Sequence, residues 1–255
     1  MFIDTHCHID DEKLTDKDKV VEDFSLAKVK VAINMGCDLK TTENGLNLSK
    51  KYESVYFAAG FHPSEIEYFD ADALTKIKNF ALDEKCVAIG EIGLDYHWLP
   101  FDKDKQIDGF NRQIDLANQL KLPISVHCRD ATEDTLKVLK SNLPKFQGVM
   151  HCFSGSVETA KILLDLGFYI SFAGTLTFKN ARNLVDVAKY VPLDRCLTET
   201  DSPYLAPTPY RGSINSPSLV PLVARRLAEI KALDEETLAC AVLTNAKTLF
   251  KKLKI

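Results

Sequence analysis

Several common sequence signals are absent from this chain of 255 residues. Its seven cysteines include no C-x-x-C pair, which argues against a zinc knuckle, and their odd number argues against a disulfide framework. No apolar run is longer than about one strand, so we expect no membrane span. Met1–His6 carries neither a basic segment nor a long apolar segment. We therefore expect no secretory signal, and a cytoplasmic protein with reduced thiols.

Signals of nucleotide binding and of polyanion binding are also missing. No G-x-G-x-x-G motif follows the first predicted strand, and no Walker A lysine loop is present. The formal net charge of -4 argues against a generic polycation that coats nucleic acid. Hydrophobic residues make up 45% of the chain, which is enough to bury a core. No linker or low-complexity tract interrupts the sequence, so we expect one domain over residues 1–255.

Eight short β-rich runs recur along the chain, with starts roughly 20 to 36 residues apart, the length of one βα unit. Helical apolar spacing fills the intervals, most clearly over Asp104–Leu120. At about 32 residues per unit, the pattern predicts an α/β fold, a (β/α)8 TIM barrel with extra C-terminal helices. Pro217–Ile230 is predicted to form the eighth helix, and Asp234–Phe250 one or two terminal helices. A doubly wound open sheet is the alternative. The predicted strands are Phe2–Cys7, Lys30–Met35, Val55–Gly60, Val87–Ile92, Pro123–Cys128, Gly148–Cys152, Phe168–Phe172 and Cys196–Thr200.

Candidate metal ligands stand at the carboxyl ends of the predicted strands, where a barrel places its active site. His6 and His8 are two residues apart on one strand, so both imidazoles face the same side and can hold one ion. The alternative is a pair of hydrogen-bonded polar residues. Imidazoles and carboxylates at one mouth predict a hydrolase that uses divalent metal, and six ligand groups favour two ions sharing a carboxylate. The other strand ends add Glu91, His127, His151 and Asp201.

A cysteine directly follows three of these histidines, at Cys7, Cys128 and Cys152. Neighbouring residues on a strand point to opposite faces, so these thiols are expected to face the helix layer. The sequence therefore predicts a packing role for them rather than ligation.

Two arginines and one further histidine are candidate substrate contacts. Arg129 follows His127 by two and suits an anionic oxygen, although an ion pair with Asp130 or Asp134 is the alternative. Arg211 lies in the proline-rich loop after the last strand, where a solvated side chain is equally compatible with the sequence. His62 is expected to bind substrate rather than metal, and the role of Glu199 stays open. The candidates for base stacking near the rim are Tyr96, Trp98, Phe153 and Tyr204.

Six motifs in order resemble the TatD family of metal-dependent deoxyribonucleases, within the amidohydrolase superfamily. The resemblance runs from residue 3 to the C-terminal helices. Any one motif is common, but the ordered set at strand ends is specific. The motifs are His6-x-His8, Gly60-x-His62-Pro63, Gly90-Glu91-Ile92-Gly93-Leu94-Asp95-Tyr96, His127-x-Arg129-Asp130-Ala131, His151-Cys152-Phe153-Ser154-Gly155 and Glu199-Thr200-Asp201-Ser202-Pro203-Tyr204-Leu205-Ala206-Pro207.

The resemblance implies a site with two divalent ions, Zn²⁺, Mn²⁺ or Mg²⁺. In the family pattern the first ion is held by His6, His8, Glu91 and Asp201, and the second by Glu91, His127 and His151. Glu91 bridges the two, Asp201 acts as general base, and His62, Arg129 and Arg211 match substrate-contacting positions.

The activity that this resemblance implies is hydrolysis of phosphodiester bonds in single-stranded DNA, as an exonuclease that uses a metal-activated water. A hydrolase of a small amide, lactone or phosphoester is the alternative, because fold and metal centre do not fix the substrate. A barrel that serves only as a binding scaffold predicts missing ligands, and all six are present. We expect a monomer with no protein partner and no membrane association.

Overall fold

The computed structural model describes residues 1–98, 100 and 102–254. Within these residues, eight parallel strands lie side by side in sequence order and alternate with helices, which confirms the predicted TIM barrel. The strands are β1 (Phe2–Cys7), β2 (Val29–Met35), β3 (Val55–Ala59), β4 (Cys86–Asp95), β5 (Ile124–Arg129), β6 (Gly148–Met150), β7 (Tyr169–Phe172) and β8 (Cys196–Thr198). The α-helices are α1 (Lys17–Ala27), α2 (Leu39–Lys51), α3 (Ala71–Ala81), α4 (Lys103–Leu120), α5 (Thr132–Ser141), α6 (Val157–Asp165), α7 (Arg182–Tyr190), α8 (Val220–Lys231) and α9 (Glu235–Leu249).

The C-terminal helices follow the eighth strand as predicted. The region expected to be helical from Pro217 onward begins with a 3-10 turn, Pro217–Leu219, before α8. The α9 helix is capped by Asp234, whose side chain accepts a hydrogen bond from the backbone N–H of Thr237 at 2.8 Å. Asn245 on α9 donates its side-chain amide to the carbonyl of Cys196, which anchors the start of β8. None of the helices in the described residues is long and apolar enough to cross a membrane.

The core lies both inside the barrel and between the barrel and its helices. Apolar side chains on the strands are almost completely buried, as expected for parallel strands that are covered by helices. The helices contribute apolar residues from the side that faces the strands. Examples of side chains with an exposed fraction below 2% are Ile33, Phe57, Ile89, Phe110 and Phe172.

The barrel closes where β1 meets the segment that follows β8. The N–H of Asp201 donates to the carbonyl of His6 at 2.9 Å, and the N–H of His8 donates to the carbonyl of Ser202 at 2.7 Å. The buried carboxyl of Asp4 accepts the N–H of Thr200 at 2.9 Å and hydrogen-bonds with the hydroxyl of the same residue. One acidic side chain thus ties the two ends of the sheet together, directly below the candidate site.

Strands six and eight end earlier than predicted, at Met150 and Thr198 rather than at positions 152 and 200. Side chains provide the physical reason, because they take the N–H groups that a longer strand would use. Glu199 Oε1 accepts the N–H of Cys152 at 2.6 Å, and Asp4 accepts the N–H of Thr200. The backbone is therefore free to turn into the site at both places.

All seven cysteines are free, as predicted. Cys7 is fully buried, and its thiol donates to the carbonyl of Ile33 at 3.3 Å. Cys128 packs against α5, where the Thr135 hydroxyl donates to its sulfur at 3.3 Å. The alternation of side chains along a strand does not orient Cys152, because this residue lies beyond the end of β6 with a φ of 40°.

Replacing Asp4 with alanine is expected to lower the free energy of unfolding by about 3 kcal/mol, because buried N–H donors lose their acceptor. Burial raises the pKa of Asp4 to about 8, so the carboxyl is mainly protonated at pH 7. Asp4→Asn, which resembles that protonated form, should cost less than about 1 kcal/mol. Urea unfolding in EDTA measures both values without a contribution from bound metal.

The matched control for this experiment is Asp72→Ala, which removes an exposed aspartate that pairs with Lys76 on the surface of α3. Its expected cost is under about 1 kcal/mol. An unfolding free energy for Asp4→Ala equal to that of Asp72→Ala would contradict the role of Asp4 in closing the barrel.

Candidate metal centre

Glu91 lies at the centre of the barrel mouth, and the local shape of β4 puts it there. The pairing between β4 and β5 shifts register between Ile89 and Ile92, and such a bulge re-aims the side chains around it. Gly93 has a φ of 144°, and a β-carbon at this position would lie 2.0 Å from the carbonyl oxygen of His127. Glycine therefore lets β4 approach β5 closely. The result is that Glu91, with an exposed fraction of only 3%, meets His127.

The first group of potential ligands lies around one oxygen of Glu91. His6 Nε2 is 3.3 Å from Glu91 Oε2, and His8 Nε2 is 3.6 Å from the same oxygen. Asp201 Oδ1 is 3.8 Å from His6 Nε2 and 3.5 Å from His8 Nε2. Two imidazoles from the end of β1 and two carboxylates thus surround one point.

The second group lies around the other oxygen of the same carboxylate. Glu91 Oε1 is 2.8 Å from His127 Nδ1 and 2.8 Å from His151 Nε2. The two imidazole nitrogens are 3.2 Å apart. The two oxygens of Glu91 therefore face two separate groups of ligand atoms.

The chemistry of these atoms fits divalent cations. Imidazole nitrogen and carboxylate oxygen are the ligand types that Zn²⁺ and Mn²⁺ accept readily. Among the described residues, His6 Nε2 is a buried nitrogen with no hydrogen-bond partner, although it points into the first group. Burial alone would raise the pKa of Glu91, but the imidazoles of His151 and His6 hold it well below its ordinary value. The carboxylate therefore stays ionised and available to a cation.

Two further carboxylates orient the imidazoles of the second group. His127 Nε2 lies 2.9 Å from Asp95 Oδ2, and His151 Nδ1 lies 3.3 Å from Glu199 Oε1. A carboxylate on the remote nitrogen fixes the ring orientation and makes the imidazole a stronger ligand. The sequence does contain a signal for Asp95, because it stands four residues after Glu91 on the same strand and shares its face. The role of Glu199, which the sequence left open, depends on a contact with the distant loop after β6.

No motif in the sequence indicates that Cys37 lies at the site. It follows β2, and its sulfur lies 3.9 Å from both His8 Nδ1 and Glu91 Oε2. Its thiol forms part of the cavity wall beside the first group.

His62 lies next to the second group, and its tautomer can be assigned. Its Nδ1 accepts the backbone N–H of Ser64 at 3.1 Å, which places the proton of the neutral ring on Nε2. That Nε2 is 3.7 Å from Glu91 Oε1, and the ring lies edge-on to His127. Burial and the neighbouring His127 lower the pKa of His62 to about 3, so the imidazole is neutral at physiological pH.

A cavity of about 630 Å³ opens above the two groups and is of the size that binds small ligands. Arg129 lines it, with its guanidinium carbon 5.3 Å from the centroid of the Trp98 ring rather than in an ion pair with a neighbouring aspartate. Arg211 is not among the described residues that line the cavity. Its guanidinium carbon lies 4.3 Å from the centroid of the Phe178 ring. Of the predicted stacking residues, Phe153 is buried and thus unable to serve as a platform.

Comparison with known proteins agrees with this geometry. The family described as "TatD related DNase" matches residues 3–251. The chain belongs to the TatD family. It is 42% identical over 253 residues to YabD of Bacillus subtilis (strain 168), an uncharacterized metal-dependent hydrolase, with 98% of this chain and 99% of YabD covered. The chain is accordingly a metal-dependent hydrolase of the TatD family.

Solved structures support the same family and fold. The TatD homologue YjjV from Escherichia coli K12 superimposes with a TM-score of 0.91 at 31% identity, and 98% of each chain is covered. An organophosphorus hydrolase from Deinococcus radiodurans has a TM-score of 0.65 at 12% identity, with 98% of this chain and 92% of that chain covered. The second likeness shows a shared fold alone.

Asp95→Asn and Glu199→Gln are each expected to weaken the binding of one metal ion by about 10-fold to 100-fold. The reason is that each substitution replaces the carboxylate that orients a ligand imidazole of the second group. Calorimetric titration of the metal-depleted protein with Mn²⁺ or Zn²⁺ measures the two affinities.

Asp130→Asn is the matched control, because Asp130 lies near the cavity but contacts His97 instead of one of these imidazoles. The two metal affinities of Asp130→Asn should equal those of the wild type. If the Asp95 and Glu199 variants gave the same values as this control, the assignment of these carboxylates would be wrong.

Proposed function

We propose that this protein is a metal-dependent deoxyribonuclease that hydrolyses phosphodiester bonds, acting as an exonuclease on single-stranded DNA. The observation that carries the proposal is the shared carboxylate of Glu91, whose two oxygens face separate ligand groups. Such an arrangement would hold two divalent ions, which would offset charge on the oxygens of a bound phosphate. DNA as substrate is supported by the description of the matching family.

The residues would hold two divalent ions, Zn²⁺, Mn²⁺ or Mg²⁺. His6, His8, Glu91 and Asp201 would hold the first, and Glu91, His127 and His151 the second. When bound, the ions supply Lewis acidity, which activates water for attack and offsets charge on the phosphoryl oxygens.

Asp201 would accept the proton of the attacking water as general base. Its carboxylate lines the cavity and lies beside His8 and His6. Burial alone would raise the pKa of Asp201, but the adjacent His8 and His151 lower it below its ordinary value, so the group is ionised and able to take a proton.

His62 and Arg129 would hold the phosphate from the open side of the cavity. The proton on His62 Nε2 points toward the site and would donate to a phosphoryl oxygen, and a neutral ring can do this over the whole physiological pH range. The guanidinium of Arg129 would bind two phosphoryl oxygens at once.

The depth of the site favours a single strand over a duplex. His6 and Glu91 have exposed fractions of 1% and 3%, so a scissile phosphate must descend into the cavity to reach them. A flexible single-stranded end fits through such an opening more easily than the phosphate of a rigid duplex. Seven free cysteines suit a reducing compartment such as the cytoplasm, where we propose that the protein acts as a monomer.

Asp201→Asn is expected to reduce the rate of DNA cleavage by about 10²-fold to 10⁴-fold, because the amide cannot accept the water's proton. The assay uses 5′-labelled single-stranded DNA with added Mg²⁺, Mn²⁺ or Zn²⁺, and with EDTA as the metal-free comparison. The wild type should give a metal-dependent ladder of shortened products, and Asp186→Asn, an exposed aspartate on α7, should match it.

Intact DNA in the wild-type reaction, together with turnover of amide, lactone or small phosphoester substrates, would contradict the nuclease proposal. Retention of most activity by Asp201→Asn would contradict the role of Asp201 while leaving the substrate class in place.

His62→Ala should lower kcat for single-stranded DNA by about 10²-fold, the usual effect of removing one donor to a developing oxyanion. His62→Gln keeps an N–H donor and should restore part of the loss. Because the pKa of His62 is about 3, the pH profile of kcat between pH 5 and 8 should have the same shape in wild type and His62→Gln. A wild-type inflection in that range that disappears in His62→Gln would show that the imidazole titrates.

A further inference from the structure

Two exposed aromatic residues stand on opposite sides of the candidate site. Trp98 follows β4 and Tyr204 follows β8, and in a barrel of eight strands in sequence order these strands lie across the mouth from each other. Both side chains line the cavity that contains Glu91 and Asp201. Their exposed fractions of 62% and 44% are high for large aromatic side chains at a cavity rim.

A cationic side chain lies over each of these aromatic rings. The guanidinium carbon of Arg129 is 5.3 Å from the centroid of Trp98, and Lys13 Nζ is 4.4 Å from the centroid of Tyr204. The hydroxyl of Tyr204 donates to Asp11 at 2.8 Å, which restricts that ring. The mouth therefore has the same pair of groups on two sides, with the candidate ligands between them.

We propose that these two aromatic–cation pairs, Trp98–Arg129 and Tyr204–Lys13, bind the two nucleosides that flank the scissile phosphate. The inference rests on the proposed nuclease function and adds to it the footprint of the substrate. Arg129 and Lys13 lie over one face of these rings, so a flat base would stack on the other face in a sequence-tolerant way, while the cation pairs with the adjoining phosphate. A neutral flat ligand would not engage the positive charges of Arg129 and Lys13, so a nucleic acid strand, which carries a phosphate beside each base, is the occupant that these two pairs favour.

The arrangement implies that the bases must be unpaired. A base within a duplex has both faces covered by its neighbours, so it cannot stack on Trp98 or on Tyr204 without leaving the helix. The rim thus selects single strands independently of the depth of the cavity.

Trp98 is the single tryptophan of the chain, so intrinsic tryptophan fluorescence reports on this rim position alone. The experiment titrates the protein as purified with a short phosphorothioate oligothymidylate, which resists cleavage, while anisotropy of a labelled oligomer records binding. We expect quenching of tryptophan emission that follows binding. An abasic oligomer with the same backbone charge should bind about 10-fold or more weakly and produce no quenching.

Substitution of Trp98 and of Tyr204 tests the two aromatic–cation pairs in the cleavage reaction. Trp98→Ala and Tyr204→Ala should each raise KM for oligothymidylate about 10-fold, with the smaller part of the effect in kcat, and Trp98→Phe should recover most of the loss. Tyr190→Ala is the matched control, because Tyr190 is equally exposed at 44% but lies at the end of α7, away from the mouth. It should change neither constant.

Three results would overturn the inference: no binding of the oligomer, binding without quenching, or equal KM values for the rim variants and Tyr190→Ala. Failure of the proposed function is a different outcome, because the wild type would then leave DNA uncut. If the wild type cleaves DNA and the rim variants behave as the control, the nuclease proposal stands and the footprint alone is wrong.

Discussion

The structure of the site depends on one buried carboxylate. Glu91 brings a negative charge into the barrel mouth, where removal from water costs several kcal/mol unless nearby groups compensate. Imidazoles on both sides provide part of that compensation, and two cations would provide the rest. The bulge in β4, the glycine at position 93 and the closure of the barrel through Asp4 all serve to hold this group between its neighbours.

Much of this arrangement can be predicted from the sequence because it follows from two regular features. Parallel strands in a barrel end at the same mouth, and residues two apart on a strand share a face. Together these rules bring His6, His8, Glu91 and His127 to one place without knowledge of any loop. Residues from opposite halves of the chain therefore meet. The net charge of -4 does not indicate the charge at the site, because that charge depends on the few side chains gathered there.

The remaining features depend on contacts that leave no regular trace in the sequence. Cys152 and Thr200 were assigned to strands by residue type, yet the side chains of Glu199 and Asp4 take their N–H groups and end the strands early. Cys37 reaches the site from the loop after β2, and no residue pattern in that loop indicates the contact with His8. Likewise Arg211 matches a substrate-contacting position of the family pattern, but its side chain packs on Phe178 and is not among the described residues that line the cavity.

The central claim is that one carboxylate joins two metal ions. The most direct measurement is an anomalous difference map from a crystal grown or soaked with Mn²⁺ or Zn²⁺. We expect two peaks, one beside each oxygen of Glu91, with His6, His8 and Asp201 around the first and His127 and His151 around the second. A single peak, or two peaks that do not share Glu91, would contradict it.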